Sequence, residues 1–304
     1  MLNAFIFPGQ GSQYVGMGFD LYNEFEDVQK RYEQANEILG YNLSEISFFG
    51  PKEKLRETQF TQPAIFIHSI IMDDLLKLNG TKPAAVAGHS LGEISALVSA
   101  EILSFTDALL IVKVRSNAMS NADKINPGSM AAIIGANDKE IQIICNQNGI
   151  VMPANLNSPK QIVISGEKDA INHAIITARK LGVKLAKELN VSGAFHSPLM
   201  KSARKPLKEV INSVNFKDAK VPIYQNVNAK PETDIIKIRK NLLNQLESPV
   251  LWVETINSMI KNDLFNFFEV GPGKILNKLN YQINNNIKTQ NIDKMEHLNS
   301  YAIL

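Results

Sequence analysis

The sequence has 304 residues, enough for a large core and two domains, and it is 44% hydrophobic and 20% charged, an ordinary globular balance. Its 32 Lys and Arg oppose 30 Asp and Glu, and the resulting net charge of +2 excludes a general nucleic-acid-binding footprint. The single cysteine, Cys145, excludes an internal disulfide and suits a reducing compartment; in the apolar run of residues 141–145 it reads as a small hydrophobe rather than a catalytic thiol. The N-terminus lacks the basic and apolar regions of a secretory signal. No apolar run approaches the roughly 20 residues that span a bilayer. The expectation is a cytoplasmic protein that binds neither membrane nor nucleic acid.

In chain order, residues 4–7 predict a buried strand ending in a Pro-Gly turn. Helical patterns follow over 21–39 and 62–78, the second stopped by Gly80. Residues 84–88 form a short apolar strand before a helix over 91–100, and a long helix is expected over 105–122. The middle changes character: strand 130–134, helix 139–147, strands 151–155 and 161–165, helix 170–181, strand 183–188. That β-α-β-β-α-β order is the ferredoxin-like split arrangement. It predicts a small domain over 126–190 inserted into a larger α/β domain made of 1–125 and 191–304. Afterwards come helical structure over 198–214, interrupted near Pro206, a strand over 221–225, helices over 235–246 and 252–261, and a strand over 264–270. The polar, Asn-rich tail after 282 shows little periodicity.

The strongest local signal is Gly88-His89-Ser90-Leu91-Gly92, a G-x-S-x-G between a predicted strand and a predicted helix. In that context the motif reads as a nucleophile elbow, a strained turn that exposes the Ser90 hydroxyl. The helix N-terminus supplies positive potential, and the Leu91 N–H can face a developing oxyanion. Serine needs a base. Of the five histidines, His68 lies in an apolar helix, His173 on a helix of the insert, His297 in the tail, and His89 on the opposite side of the elbow, where it supports the turn. His196, in the small-residue loop where the larger domain resumes, is the base candidate by elimination, with helix capping as the bland alternative. Gly9-Gln10-Gly11-Ser12-Gln13 follows the first strand; Tyr14 stands where a dinucleotide loop would need glycine, and no Walker Lys-Ser/Thr is present. It is either an ordinary tight turn or a close backbone approach to a reacting carbonyl through the Gln10 N–H.

Together these segments resemble the malonyl-CoA:acyl carrier protein transacylases. The resemblance is carried by residues 9–13, Gly88–Glu93, Arg115 in Val114-Arg115-Ser116, 155–159, 162–166, 194–197, 245–250 and 269–274, in family order over nearly the whole chain. It implies a large α/β-hydrolase-like domain with the ferredoxin-like insert. It also implies that Ser90 takes the malonyl group, that His196 is general base and then acid, and that Arg115 pairs with the free malonyl carboxylate. The N–H groups of Gln10 and Leu91 would form the oxyanion hole. Gln245 would lie beside the histidine and orient it, a main-chain carbonyl replacing the usual triad acid. The substrates implied are malonyl-CoA and acyl carrier protein, with no metal or redox cofactor. Ser-Leu in the elbow and Phe195 before the base resemble the malonyl-selective pattern. From residues alone, Arg115 could equally sit on the surface of its long helix. An α/β serine hydrolase and a catalytically silent acyl-binding module are the rival readings. Lys201, Arg204, Lys205 and Lys208 form a candidate basic face for an acidic carrier protein.

Overall fold

The computed structural model describes residues 2–191 and 193–299; Ser192 of the predicted loop and the last five tail residues lie outside them. The chain begins with β1 (Leu2–Phe7), α1 (Phe19–Glu24), α2 (Glu26–Leu39), α3 (Leu43–Phe49), α4 (Lys52–Arg56) and α5 (Thr58–Leu78). β2 (Ala85–Gly88), α6 (Gly92–Ser99) and α7 (Phe105–Ile125) follow. Next come β3 (Gly128–Ile134), α8 (Asp138–Cys145), β4 (Val151–Ser158), β5 (Gln161–Glu167), α9 (Lys168–Lys180) and β6 (Leu185–Glu188). A 3₁₀ turn (Pro198–Ala203) leads into α10 (Arg204–Ser213), then β7 (Ile223–Tyr224), β8 (Pro231–Glu232), α11 (Ile235–Asn244) and α12 (Trp252–Lys261). β9 (Leu264–Val270), α13 (Ile275–Ile283), β10 (Lys288–Ile292) and α14 (Met295–Asn299) complete it.

The larger sheet has the order β10-β9-β1-β2-β7-β8, parallel throughout except for β8. Its central strand shows why the apolar run of residues 4–7 is continuous. Phe5 and Phe7 point into one core with α2, α5, α6 and α7, while Ala4 and Ile6 enter another with Trp252, Ile256 and Leu276 of α12 and α13. A parallel strand covered by helices on both faces has no wet side to encode. The smaller, antiparallel sheet, β4-β5-β3-β6, comes wholly from residues 128–188 in the predicted β-α-β-β-α-β order. α8 and α9 close one face over Ala131, Ile133 and Ile164; Met130 and Val163, on the other, join the core of the larger sheet.

The differences from the expected elements have local causes. The helix over 21–39 is two helices, because Phe25 is extended (φ −119°, ψ 119°). α5 begins at Thr58 and carries Pro63 inside it; proline takes away the donor that the Gln59 carbonyl would use, and the Tyr41 hydroxyl donates to that carbonyl instead, at 3.0 Å. The interruption expected near Pro206 falls earlier, at the 3₁₀ turn, and Pro206 occupies the first turn of α10, where its missing N–H has no intrahelical partner to lose. In the weakly periodic tail, β10 extends the sheet beside β9, and Asp293 after it accepts from the Tyr14 hydroxyl at 3.1 Å and the Gly273 N–H at 3.1 Å. The His68 Nε2 lies 3.0 Å from the Asp293 carboxylate, so His68 is packed, not surface-lying. No helix among the described residues is long and apolar enough to cross a membrane.

Candidate active site

The turn from β2 to α6 puts Ser90 at φ 53°, a left-handed conformation that a non-glycine residue adopts at a cost of about 1–3 kcal/mol. Gly92 makes the turn possible: a Cβ there would lie 2.0 Å from the Phe7 carbonyl oxygen. Gly9 lets the turn after β1 approach, since its Cβ would stand 2.5 Å from the His89 oxygen. Gln10 and Leu91 thereby share with Ser90 the wall of one cavity of about 610 Å³.

Four of the predicted side chains converge. The Ser90 hydroxyl is 2.8 Å from His196 Nε2, and His196 Nδ1 is 2.8 Å from the Gln245 main-chain oxygen. A carbonyl only accepts, so Nδ1 carries the proton and Nε2 is left bare to accept from the serine. His196 is itself left-handed, at φ 59°, and 3% exposed. Burial first, and then the nearby Arg115 charge, lower its pKa from the usual 6.5 to about 3, so the imidazole is neutral at working pH.

Arg115 is buried on α7 and not on the surface. Its Nη2 donates to Ser90 Oγ at 3.1 Å and to Gln245 Oε1 at 2.9 Å, and its Nη1 donates to Gln62 Oε1 at 2.7 Å. Burial lowers its pKa to about 10, which still leaves it charged near neutrality. All three acceptors are neutral, and among the described residues no carboxylate touches the guanidinium. Glu93 exerts an influence of opposite sign on it, and is itself fully buried and pushed upward in pKa by that burial.

Glu93 organises the elbow from beneath. It accepts from the Asn226 N–H at 2.7 Å and from Gln225 Nε2 at 3.2 Å. Asn226 in turn accepts the Ser90 N–H at 2.8 Å and donates to the Gly88 oxygen at 2.6 Å. On the far side His89 Nε2 meets Asn157 Oδ1 at 2.8 Å and its ring packs against Trp252.

A family model described as an acyl transferase domain matches residues 4–296. The malonyl CoA-acyl carrier protein transacylase of Bacillus subtilis (strain 168) is 42% identical over 290 residues, 94% of this chain and 92% of that protein. The chain belongs to the acyl transferase family, among the malonyl CoA-acyl carrier protein transacylases. Two solved members of this transacylase family have the same fold. The acyl carrier protein S-malonyltransferase of Vibrio cholerae matches with a TM-score of 0.94 at 38% identity over 99% of each chain. A malonyl-transacylase solved in complex with its type II PKS acyl-carrier protein matches with a TM-score of 0.95 at 36% identity, again over 99% of each chain.

For this transacylase-family chain, sequence reasoning missed Gln62 and Asn226 as individual residues, and Glu93 entered only as part of a matched block. Each acts across 53 to 138 positions of sequence, and none has a local pattern that declares it. The basic face is only partly available. Arg204 is held by Glu247 at 3.1 Å and Asn244 at 2.8 Å; Lys201, Lys205 and Lys208 are exposed, and none of the four lines the cavity. His173 and His297 lie outside the cavity lining.

Proposed function

We propose that this chain transfers the malonyl group from malonyl-CoA to the phosphopantetheine thiol of an acyl carrier protein through an ester on Ser90, supplying extender units for fatty acid synthesis. The observation that carries the reading is the meeting of a neutral imidazole and a buried guanidinium on one atom, Ser90 Oγ. As Oγ attacks the thioester carbonyl, its proton passes to His196 Nε2, and the Nδ1–H on the Gln245 carbonyl holds the ring in place while the imidazolium forms. The Gln10 and Leu91 N–H groups face the developing oxyanion. The C–S bond breaks, and the departing CoA thiolate takes the proton from Nε2. In the second half-reaction His196 takes the proton of the carrier's thiol, its sulfur attacks the ester, and Ser90 recovers the proton as it leaves.

Arg115 selects the substrate. A guanidinium grips a carboxylate through two parallel hydrogen bonds and keeps its charge, and here its partners are neutral amides and a hydroxyl. The malonyl carboxylate would supply the missing anion; acetyl has none to offer. Neutralising the guanidinium would also relieve its depression of the His196 pKa, so substrate binding strengthens the base that attacks it.

We read residues 1–125 and 191–304 as the catalytic unit, 126–190 as the inserted one, and the cytoplasm as the compartment. The decisive experiment is intact-mass spectrometry after incubation with malonyl-CoA, followed by peptide mapping and transfer to holo carrier protein. A malonyl adduct on the Ser90 peptide that the carrier protein discharges is the expected result; an adduct on another residue, or none, overturns the reading.

A further inference from the structure

Apart from Arg115, whose Nη2 reaches Ser90 Oγ, the cavity at Ser90 is unusual in its charge. Among the described residues, two residues with permanently charged side chains line it, Lys52 and Arg56, and no carboxylate does. Both belong to α4, four positions apart, a spacing that puts them on one helical face. Both are exposed, and neither is in a salt bridge among the described residues. The rest of the short helix is fixed. Leu55 is buried and its carbonyl accepts from the Thr61 hydroxyl, and Lys54 lies over the Phe60 ring at 5.3 Å. The cavity thus has a buried cation at the nucleophile and two solvent-facing cations on α4. Its lining also includes neutral polar side chains such as Gln10, Gln62 and Asn157.

We infer that Lys52 and Arg56 bind the phosphate at the far end of the phosphopantetheine arm while its acyl end reaches Ser90. The inference rests on the transferase reading above. The ligand it describes is anionic at both ends and neutral with amides between. That pattern matches a cavity with the Arg115 guanidinium at its nucleophile, amide side chains in its lining, and an exposed lysine and arginine contributed by α4. Arg and Lys both suit phosphate oxygens, the first as a planar fork and the second as a point charge. The phosphate could belong to CoA or to the serine-linked arm of a carrier protein; the chemistry is shared.

The test compares acylation of Ser90 by malonyl-CoA and by malonyl-pantetheine, which lacks phosphate, in the wild type and in a Lys52→Gln/Arg56→Gln variant. Loss of two charge-assisted contacts should raise KM for malonyl-CoA about tenfold or more with kcat nearly unchanged, while malonyl-pantetheine is used equally by both proteins. Discharge of the malonyl enzyme by holo carrier protein and by free pantetheine separates the sources. A raised KM for the carrier protein alone in that step adds the carrier's phosphodiester to the site, and an unchanged one confines the site to CoA. Equal loss with malonyl-pantetheine, or no loss with malonyl-CoA, overturns the assignment. A wild-type protein that neither donor acylates overturns the transferase reading and this one with it.

Discussion

Gln245 and Arg115 are joined by a 2.9 Å hydrogen bond from Nη2 to Oε1, and through it one residue governs both halves of the site. The Gln245 main-chain oxygen holds His196, the proposed base, while its side chain holds the guanidinium and donates to the Ser90 carbonyl at 3.0 Å. Gln245→Glu separates these roles. The main-chain contact to His196 survives, but a carboxylate now occupies the guanidinium. Hydrogen bonds to charged groups contribute about 1.5–3 kcal/mol, so kcat/KM for malonyl-CoA should fall about 10- to 100-fold while acetyl-CoA gains relative to it. Steady-state competition between the two thioesters measures this; an unchanged ratio would place the malonyl carboxylate elsewhere.

Ser90→Ala should abolish the covalent malonyl adduct without altering the fold, since the hydroxyl is removed and the elbow's main-chain bond to Asn226 remains. His196→Ala should slow acylation by at least the 10² to 10⁴ that general-base catalysis supplies. Rapid-quench mass spectrometry reads both, and an adduct that persists in the serine variant would end the covalent assignment.

Arg115→Ala leaves Gln62 and Gln245 without their donor and the malonyl carboxylate without its partner. Breaking a buried charge pair costs about 3–5 kcal/mol, so malonyl transfer should collapse while acetyl transfer falls far less. Arg115→Lys should restore only part of the activity, because an ammonium cannot form the fork. Equal losses for the two acyl groups would mark Arg115 as purely structural.

The depressed pKa of His196 sets the pH profile. The base works only when neutral, and a pKa lowered to about 3 keeps it neutral far below the usual 6.5. The acid limb of kcat/KM, which reports the free enzyme, should therefore lie well below pH 6. The limb of kcat reports the complex, where the malonyl carboxylate offsets Arg115, and it should lie at higher pH. The same shift links to stability. Between pH 6.5 and about 3 the unfolded chain takes up a proton that native His196 refuses, so this residue's contribution to stability is lost as pH falls through that window. A kcat/KM profile inflecting near 6.5 would contradict the dry environment of the imidazole.

Asp293→Ala tests the seat of the tail. It removes the acceptor for the Tyr14 hydroxyl and the Gly273 N–H and the carboxylate beside buried His68. The two donors are partly buried and His68 keeps the Asp293 main-chain oxygen at 2.9 Å; leaving such donors unpaired costs about 1–3 kcal/mol, so urea denaturation should show a loss near the lower end of that range with acylation by malonyl-CoA largely retained. No loss of stability would mean that the packing of β10 alone holds this end of the sheet.

What was legible in the sequence was whatever a short window records. The apolar run of β1, the strand-turn-helix around Ser90 and each of the successive elements in 128–188 declare themselves within about 20 residues. What was not legible depends on the third dimension. β10, Lys288-Thr289-Gln290-Asn291-Ile292, has no apolar alternation because as an edge strand it is held largely by main-chain pairing to β9. Asn226 and Gln62 look like ordinary polar residues until the fold sets one under Ser90 and the other against Arg115. The break at Phe25 hides inside an unbroken helical pattern because it depends on one residue's extended backbone.

In the smaller sheet β3 and β6 are antiparallel neighbours, Ala131 opposite Glu188, so the chain arrives at this unit and departs from it side by side. Met130, Ala132, Gln161 and Val163 of that unit form one wall of the cavity, whereas Ser90, His196, Arg115 and Gln245 all lie outside it. Part of the cavity lining is therefore encoded in a separate stretch of gene from the proposed bond-making residues, while Arg115, the proposed reader of the malonyl carboxylate, stays with the latter. Evolution, or a protein engineer, can rewrite that wall as a cassette through mutations between 128 and 188, sparing Asn157 beneath His89, without replacing the residues proposed to make and break the ester.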